Sequence, residues 1–240
     1  MFEELKPHIA ELRSRLIVCV LCVIASFFIC FIFFSQYIMD FLTIPLKAAL
    51  QNDSKIIYTK LPGAFLISVK VSFFAGFMAS SPIIFWQFWR FVEPGLYENE
   101  KKYVIPFVLA ATVMFLIGAC FSYFIAAPIA INFLVHFSDG MFNAMPDIEE
   151  YIGFITKLII AFGIAFELPV VTFFLAKLGL IDETTLKRHF RVAVLIIFIF
   201  AAIMTPPDVL SQFLMAIPLV FLYVISIYVV SKTTSKKSEK

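Results

Sequence analysis

Charge is scarce in this chain. Of 240 residues only 15% are Asp, Glu, Lys or Arg while 62% are apolar, and the mean hydropathy is +0.97. A water-soluble domain carries roughly 25% charged and about 45–50% apolar residues, so that class is excluded. Histidine is sparse too: His8, His136 and His189 are scattered, and no H-E-x-x-H, phosphate-cradling glycine loop or G-x-S-x-G occurs. The expectation is therefore no enzyme, no metal site, no cofactor and no nucleic-acid partner. A matched pair of broken helices in inverted order, common in secondary transporters, is also missing. The four cysteines, Cys19, Cys22, Cys30 and Cys120, fall inside apolar runs. A redox pair needs a thiolate at an exposed helix start, so Cys19-x-x-Cys22 reads as small apolar residues. No cleavable leader is expected, because the first apolar run is long enough to span and lacks a small-residue cleavage site.

What is present is phenylalanine, 31 of them, a lipid-facing composition. Six apolar stretches predict an all-α membrane protein with transmembrane spans at about 16–36, 70–90, 104–128, 151–176, 192–205 and 209–230. They form one domain over 1–231, followed by a basic, disordered tail at 232–240. Ahead of the first span, Phe2, Leu5, Ile9, Leu12 and Leu16 recur at the spacing of one helix face, which predicts an amphipathic helix lying on the membrane surface. Residues 36–70 hold Pro45, Asp53, Lys55, Lys60 and Pro62-Gly63 and read as a polar loop. Pro82 predicts a kink or local opening in the second span. The fifth span is short: about 13 apolar residues rise ~20 Å against a hydrocarbon core of ~30 Å. Pro218 makes the sixth irregular as well.

Between the second and third spans the chain reads FWRFVEPGLYENEKK from Phe88 to Lys102. Phe85, Trp86, Phe88, Trp89, Phe91 and Tyr97 predict an aromatic collar at the headgroups. Pro94-Gly95 predicts a tight turn in which Gly95 takes a positive φ. The turn would hold Glu98 and Glu100 on a stiff support just outside the bilayer. Basic residues cluster on one side of the predicted spans: Lys6, Arg13 and Arg15 at the N-terminus, Arg90, Lys101 and Lys102 in the collar loop, Lys177, Lys187, Arg188 and Arg191 between the fourth and fifth spans, and the lysines of the tail. The other side has Lys47, Lys55, Lys60 and, at its margin, Lys70. By the positive-inside rule both termini are cytoplasmic.

The fourth span holds one acid, Glu167, and one base, Lys157, ten residues or ~15 Å away along the helix, too far to pair and able to snorkel outward. An acid at mid-membrane costs about 2.5–3.5 kcal/mol on insertion scales and marks a path, a relay or a binding surface more often than not. Pro169 leaves the carbonyl of Ala165 without its helical donor, adding backbone polarity beside the carboxyl. The residues alone leave three readings open for Glu167: a structural carboxyl paired with another helix, a hydrated or protein-lined surface within the membrane, or the titrating group of an ion-coupled transporter. Gly76/Ser80 and Gly118/Ser122 permit close helix contacts, within the bundle or with a partner.

Four stretches, His8-Ile9-Ala10-Glu11-Leu12-Arg13-Ser14-Arg15-Leu16, the collar loop, Phe166-Glu167-Leu168-Pro169 and Thr205-Pro206-Pro207-Asp208, resemble the TatC family in order and spacing over nearly the whole chain. TatC is the multi-spanning receptor subunit of the twin-arginine protein translocase. The resemblance implies a curved six-helix bundle with short fifth and sixth spans in the cell inner membrane. It implies capture of twin-arginine signal peptides at the cytoplasmic face, with Glu11, Arg13, Phe91, Glu100 and Glu98 as the site and Arg13 orienting Glu11. It also implies single-span TatA- and TatB-type partners coupled through Glu167, Tyr123 and Pro82, with Pro45 and Asp208 structural in the outer loops. Folded cargo would be exported on the proton-motive force, without ATP; assembly of several copies is left open. Glu93, just before Pro94, departs from the family pattern.

Overall fold

A segment in lipid must satisfy its own backbone, and a helix does so within one stretch of chain. The structure, a computed structural model, describes all residues except 1, 51–55, 60–61, 102–103, 138–144, 206–207 and 239–240, and backbone only for 2–7, 99–100 and 234–238. The described residues form α1 (Phe2–Ile29), a π-turn (Cys30–Phe34), α2 (Ser35–Ala49), α3 (Gly63–Val92), a 3-10 turn (Glu93–Gly95), α4 (Glu98–Lys101) and α5 (Val104–Phe121). A second π-turn (Ser122–Ala126) follows, then α6 (Ala127–His136), α7 (Ile148–Phe166), α8 (Leu168–Leu178), α9 (Glu183–Arg188), α10 (Phe190–Met204) and α11 (Val209–Ser238). Five runs are long and apolar enough to cross a membrane: His8–Ala49, Gly63–Gly95, Val104–His136, Ile148–Leu178 and Val209–Thr233. The shorter Phe190–Met204 makes the count consistent with six spans. The all-α membrane class is as expected, and α10 is the short fifth span.

Several local expectations are corrected. No break separates an amphipathic helix at 2–16 from the first span, because α1 runs through both. Of the predicted stripe, Ile9, Leu12 and Leu16 are exposed, and the side chains of Phe2 and Leu5 lie outside the described residues. The stretch 36–49 is helix, not loop. Its polar residues hide a one-face stripe, with Leu42, Leu46 and Ala49 all buried, and that spacing outweighs Pro45. The sixth helix is not short, since α11 continues to Ser238, through the tail.

The chain divides into two compact units, 1–43 with 58–112 and 44–57 with 113–240. In the first, α1 lies along α3. A Cβ on Gly76 would sit 2.7 Å from the backbone nitrogen of Phe27, so only glycine allows this approach. Four residues on, Ser80 donates to Ser26 Oγ at 3.0 Å, and Cys22 Sγ reaches the Ser80 hydroxyl at 3.7 Å. The small residues at 76 and 80 thus serve contacts inside the unit. Pro82 does not interrupt α3. The carbonyl it strips of a donor belongs to Met78, and Ser81 Oγ donates to that oxygen at 2.8 Å.

In the second unit, Gly118 meets α7: a Cβ there would stand 2.6 Å from the Phe162 carbonyl oxygen and 2.9 Å from Phe166. Gly163 likewise faces the Phe115 ring. Carboxylates start three helices by accepting their orphan amides. Asp147 takes Glu149 N at 2.7 Å, Asp182 takes Thr185 N at 2.7 Å and Asp208 takes Ser211 N at 2.6 Å. Gly179, at φ 78°, closes α8 with the left-handed turn that suits a residue without Cβ.

Candidate functional site

Glu11 sits on α1 one turn before Arg15, the Glu-then-Arg order at i, i+4 that favours pairing. Arg15 donates to Glu11 Oε1 through Nε at 3.0 Å and also through Nη2, while its Nη1 reaches Gln87 Oε1 on α3 at 3.3 Å. The Arg15 side chain is 20% exposed and that of Glu11 32%, so the pair is half-sheltered. The expected orientation of Glu11 by Arg13 is corrected here. Residues two apart on a helix point to different sides, and Arg13 is exposed.

An apolar groove of about 430 Å³ runs from this pair along α1 and α3. Leu16, Cys19 and Val23 line one wall and Phe73, Phe77 and Phe88 the other, with Arg15, Gln87 and Phe91 also bordering it. The structure therefore brings Glu11's partner and Phe91 to one groove, as members of one unit. Gln87 was invisible in the sequence, because its contact with Arg15 crosses between helices. The i, i+4 rule alone would have found Arg15.

The collar turn is built differently from its prediction. Leu96 N donates to Glu93 O at 3.1 Å to close a 3-10 turn. Among the described residues only Gly179 has a positive φ, so Gly95 does not. A side chain at 95 would meet nothing within 4 Å. The aromatic collar is also split: Tyr97 and Phe88 are exposed, whereas Trp89 is 3% exposed and stacks on Phe107 with ring centroids 5.3 Å apart. Trp89 thus holds α3 to α5 rather than facing headgroups. Beyond the turn, Glu98 accepts from Lys101 Nζ at 2.7 Å, a bond that raises the lysine pKa. Glu100 lies on α4, and its side chain is outside the described residues.

The residues expected to couple to partners are not gathered in one place. Pro82 is exposed on α3 in the first unit, and Tyr123 is 6% exposed in the π-turn of the second. Glu167 is the hinge residue between α7 and α8, and its Oε1 is buried without a hydrogen-bond partner among the described residues. Of the outer-loop pair, Pro45 is buried within α2, and Asp208 caps α11 through one oxygen while Oδ2 is buried and has no hydrogen-bond partner among the described residues. Pro206 and Pro207 lie outside the described residues. Among the described residues no cluster of His, Cys, Asp and Glu could hold a metal ion.

Comparison with known proteins adds three findings. Residues 7–218 match the family described as Sec-independent protein translocase protein (TatC). The chain is 53% identical to the Sec-independent protein translocase protein TatC of Campylobacter jejuni, over 100% of this chain and 98% of that one. It is 39% identical to the TatC of Aquifex aeolicus, with 98% of each covered. A crystal structure described as the twin-arginine translocase receptor TatC superimposes with TM-score 0.87 at 38% identity, covering 95% of this chain and 99% of that one.

Proposed function

The chain belongs to the TatC family, and from that membership we propose that it is the signal-peptide receptor of a twin-arginine translocase. Its relatives are named as protein translocase proteins, a transport role rather than an enzymatic one. The helices that can cross a membrane, together with this family, make it a multi-pass inner-membrane subunit of the Sec-independent translocase. The finer reading concerns how it takes its cargo. A signal peptide of this class presents two consecutive arginines followed by an apolar stretch. Adjacent residues of an extended peptide point to opposite sides, so two guanidiniums need two acceptors.

One observation supports this reading most: a half-sheltered carboxylate, Glu11, is held by Arg15, which together with Phe91 borders an apolar groove. Glu11 would accept one guanidinium and Glu100 the other, with Glu98 on the same short helix. The groove would take the apolar stretch. Carboxylate recognition of a guanidinium is bidentate and planar, which disfavours lysine in either position. The clustering of Lys and Arg supports a cytoplasmic position for both termini, the collar loop and the Lys177–Arg191 connection. TatA- and TatB-type single-span subunits dock on the membrane-embedded surface near Glu167, with Tyr123 in the same unit, and Pro82 serves partner coupling from the other unit. The assembly uses the proton-motive force.

The test is binding of a synthetic Arg-Arg signal peptide to the purified full chain in detergent. Glu100→Gln should abolish capture while the protein still inserts and keeps its helical content. Affinity within twofold of wild type would remove the site.

A further inference from the structure

Arg15 spends two nitrogens on a single oxygen of Glu11, and its third goes to Gln87. Among the described residues nothing pairs with Glu11 Oε2. A carboxylate offers about four lone-pair positions over its two oxygens. One oxygen is therefore committed inside the protein and the other stays open, on a side chain one helical turn before Arg15, which borders the groove. We propose that Gln87 and Arg15 are positioning residues for recognition: they clamp Glu11 by one oxygen so that the other faces an incoming guanidinium. The proposal rests on the receptor reading and adds to it the source of discrimination.

The geometry explains why the clamp needs both residues. A carboxylate on a free glutamate rotates about three bonds, and fixing it on binding costs conformational entropy. Arg15 is planar, so contact through Nε and Nη2 sets the plane of its guanidinium against Glu11, and the Nη1 bond to Gln87 stops that plane from turning. Gln87 is neutral and belongs to the other helix of the groove, so it fixes Arg15 without competing for its charge. A lysine at 15 is a point charge and cannot bridge two acceptors in a defined plane. The clamp also leaves the Glu11–Arg15 pair nearly neutral overall. An incoming lysine, drawn by charge alone, gains little there, whereas an arginine gains a shaped hydrogen-bond site.

The experiment is a double-mutant cycle on Gln87 and Arg15 in the full-length detergent-solubilised protein. It reads affinity for an Arg-Arg peptide and for its Lys-Lys sibling. Gln87→Ala should weaken the Arg-Arg peptide roughly tenfold, the scale of one charge-assisted hydrogen bond, and narrow the Arg-Arg over Lys-Lys ratio. In an Arg15→Met background, Gln87→Ala should cost nothing further, since Gln87 acts only through Arg15. Arg15→Lys, which keeps the charge and most of the packing, should narrow the ratio as Arg15→Met does. Wild-type affinity and ratio in Gln87→Ala, or an equal cost with and without Arg15, would overturn the clamp. Glu11→Gln separates the two levels. If it binds normally, the receptor reading at Glu11 fails and the clamp fails with it. If it loses the peptide while Gln87→Ala and Arg15→Lys match wild type, the clamp alone is wrong.

Discussion

Glu11 and Glu167 are both acids on helices made almost wholly of apolar residues, and the two regions treat them in opposite ways. Glu11 lies where its helix approaches water, is one-third exposed, and is answered by Arg15 one turn on. Glu167 lies between α7 and α8 with Oε1 buried and unanswered among the described residues. A paired, half-open carboxylate can exchange or share its partner at little cost. A buried oxygen with no donor is a standing penalty of about 1–3 kcal/mol, which a proposed partner supplying a donor would relieve. The first arrangement fits a ligand that comes and goes, the second a docked subunit.

The strongest way to break this comparison is to neutralise each acid in turn. Glu11→Gln should lower affinity for the Arg-Arg peptide by tenfold or more while leaving the fold intact. Glu167→Gln should bind the peptide as wild type does and lose most export when assayed with its partner subunits in membrane vesicles. Normal export by Glu167→Gln, or normal peptide binding by Glu11→Gln, would each erase one side of the contrast. A transporter reading predicts something else: uptake of a small solute by liposomes containing this chain alone. The receptor reading expects none.

The glycine contacts sharpen the same division at a smaller scale. Gly76→Val forces a side chain into the Phe27 backbone and must part α1 from α3, the two walls of the apolar groove. Gly118→Val strikes the Phe162 carbonyl and the Phe166 side chain, next to Glu167 in the chain. Overpacking of this kind costs about 1–3 kcal/mol. Both variants should unfold at lower temperature in detergent, but only Gly76→Val should weaken peptide binding. Equal loss of binding in the two would show that groove and hinge are not separable.

Much of this was legible in the sequence because lipid is an undemanding reader: it asks for apolar length, and the spans follow. The short α10 and the acid at 167 could be seen for the same reason, as departures from a uniform background. What could not be seen were choices between two local solutions. Pro94-Gly95 allows a left-handed glycine, but a 3-10 turn satisfies the same chain direction without it. Trp89 has the composition of a headgroup anchor, yet Phe107 offers it a stacked partner. The polar residues of 36–49 suggest a loop, while Leu42, Leu46 and Ala49 find a core. Gln87 was beyond reach because a neutral side chain announces nothing until the opposite helix is in place. Residue-by-residue transfer from the family resemblance put Arg13 where Arg15 acts, and the i, i+4 geometry of α1 decides between them.

The smallest effect lies away from both acids, in the turn between α8 and α10. Asp182 caps the short helix α9, and hydrogen bonds from Thr185 and then Thr184 hold its carboxyl down to about 2 from an ordinary 3.8. A depressed carboxyl contributes its stabilisation above the unfolded value and loses it as pH falls through the folded one. The cap should therefore stay intact from neutral pH to about pH 4 and fail only as pH approaches 2. Hydrogen exchange at the Thr185 amide reads this directly, after correction for the intrinsic rate. If Thr185 lost its protection already above about pH 4, the turn would be looser than its hydrogen bonds imply. The connection bearing Lys187 and Arg188 could then not be treated as a fixed support at the membrane surface.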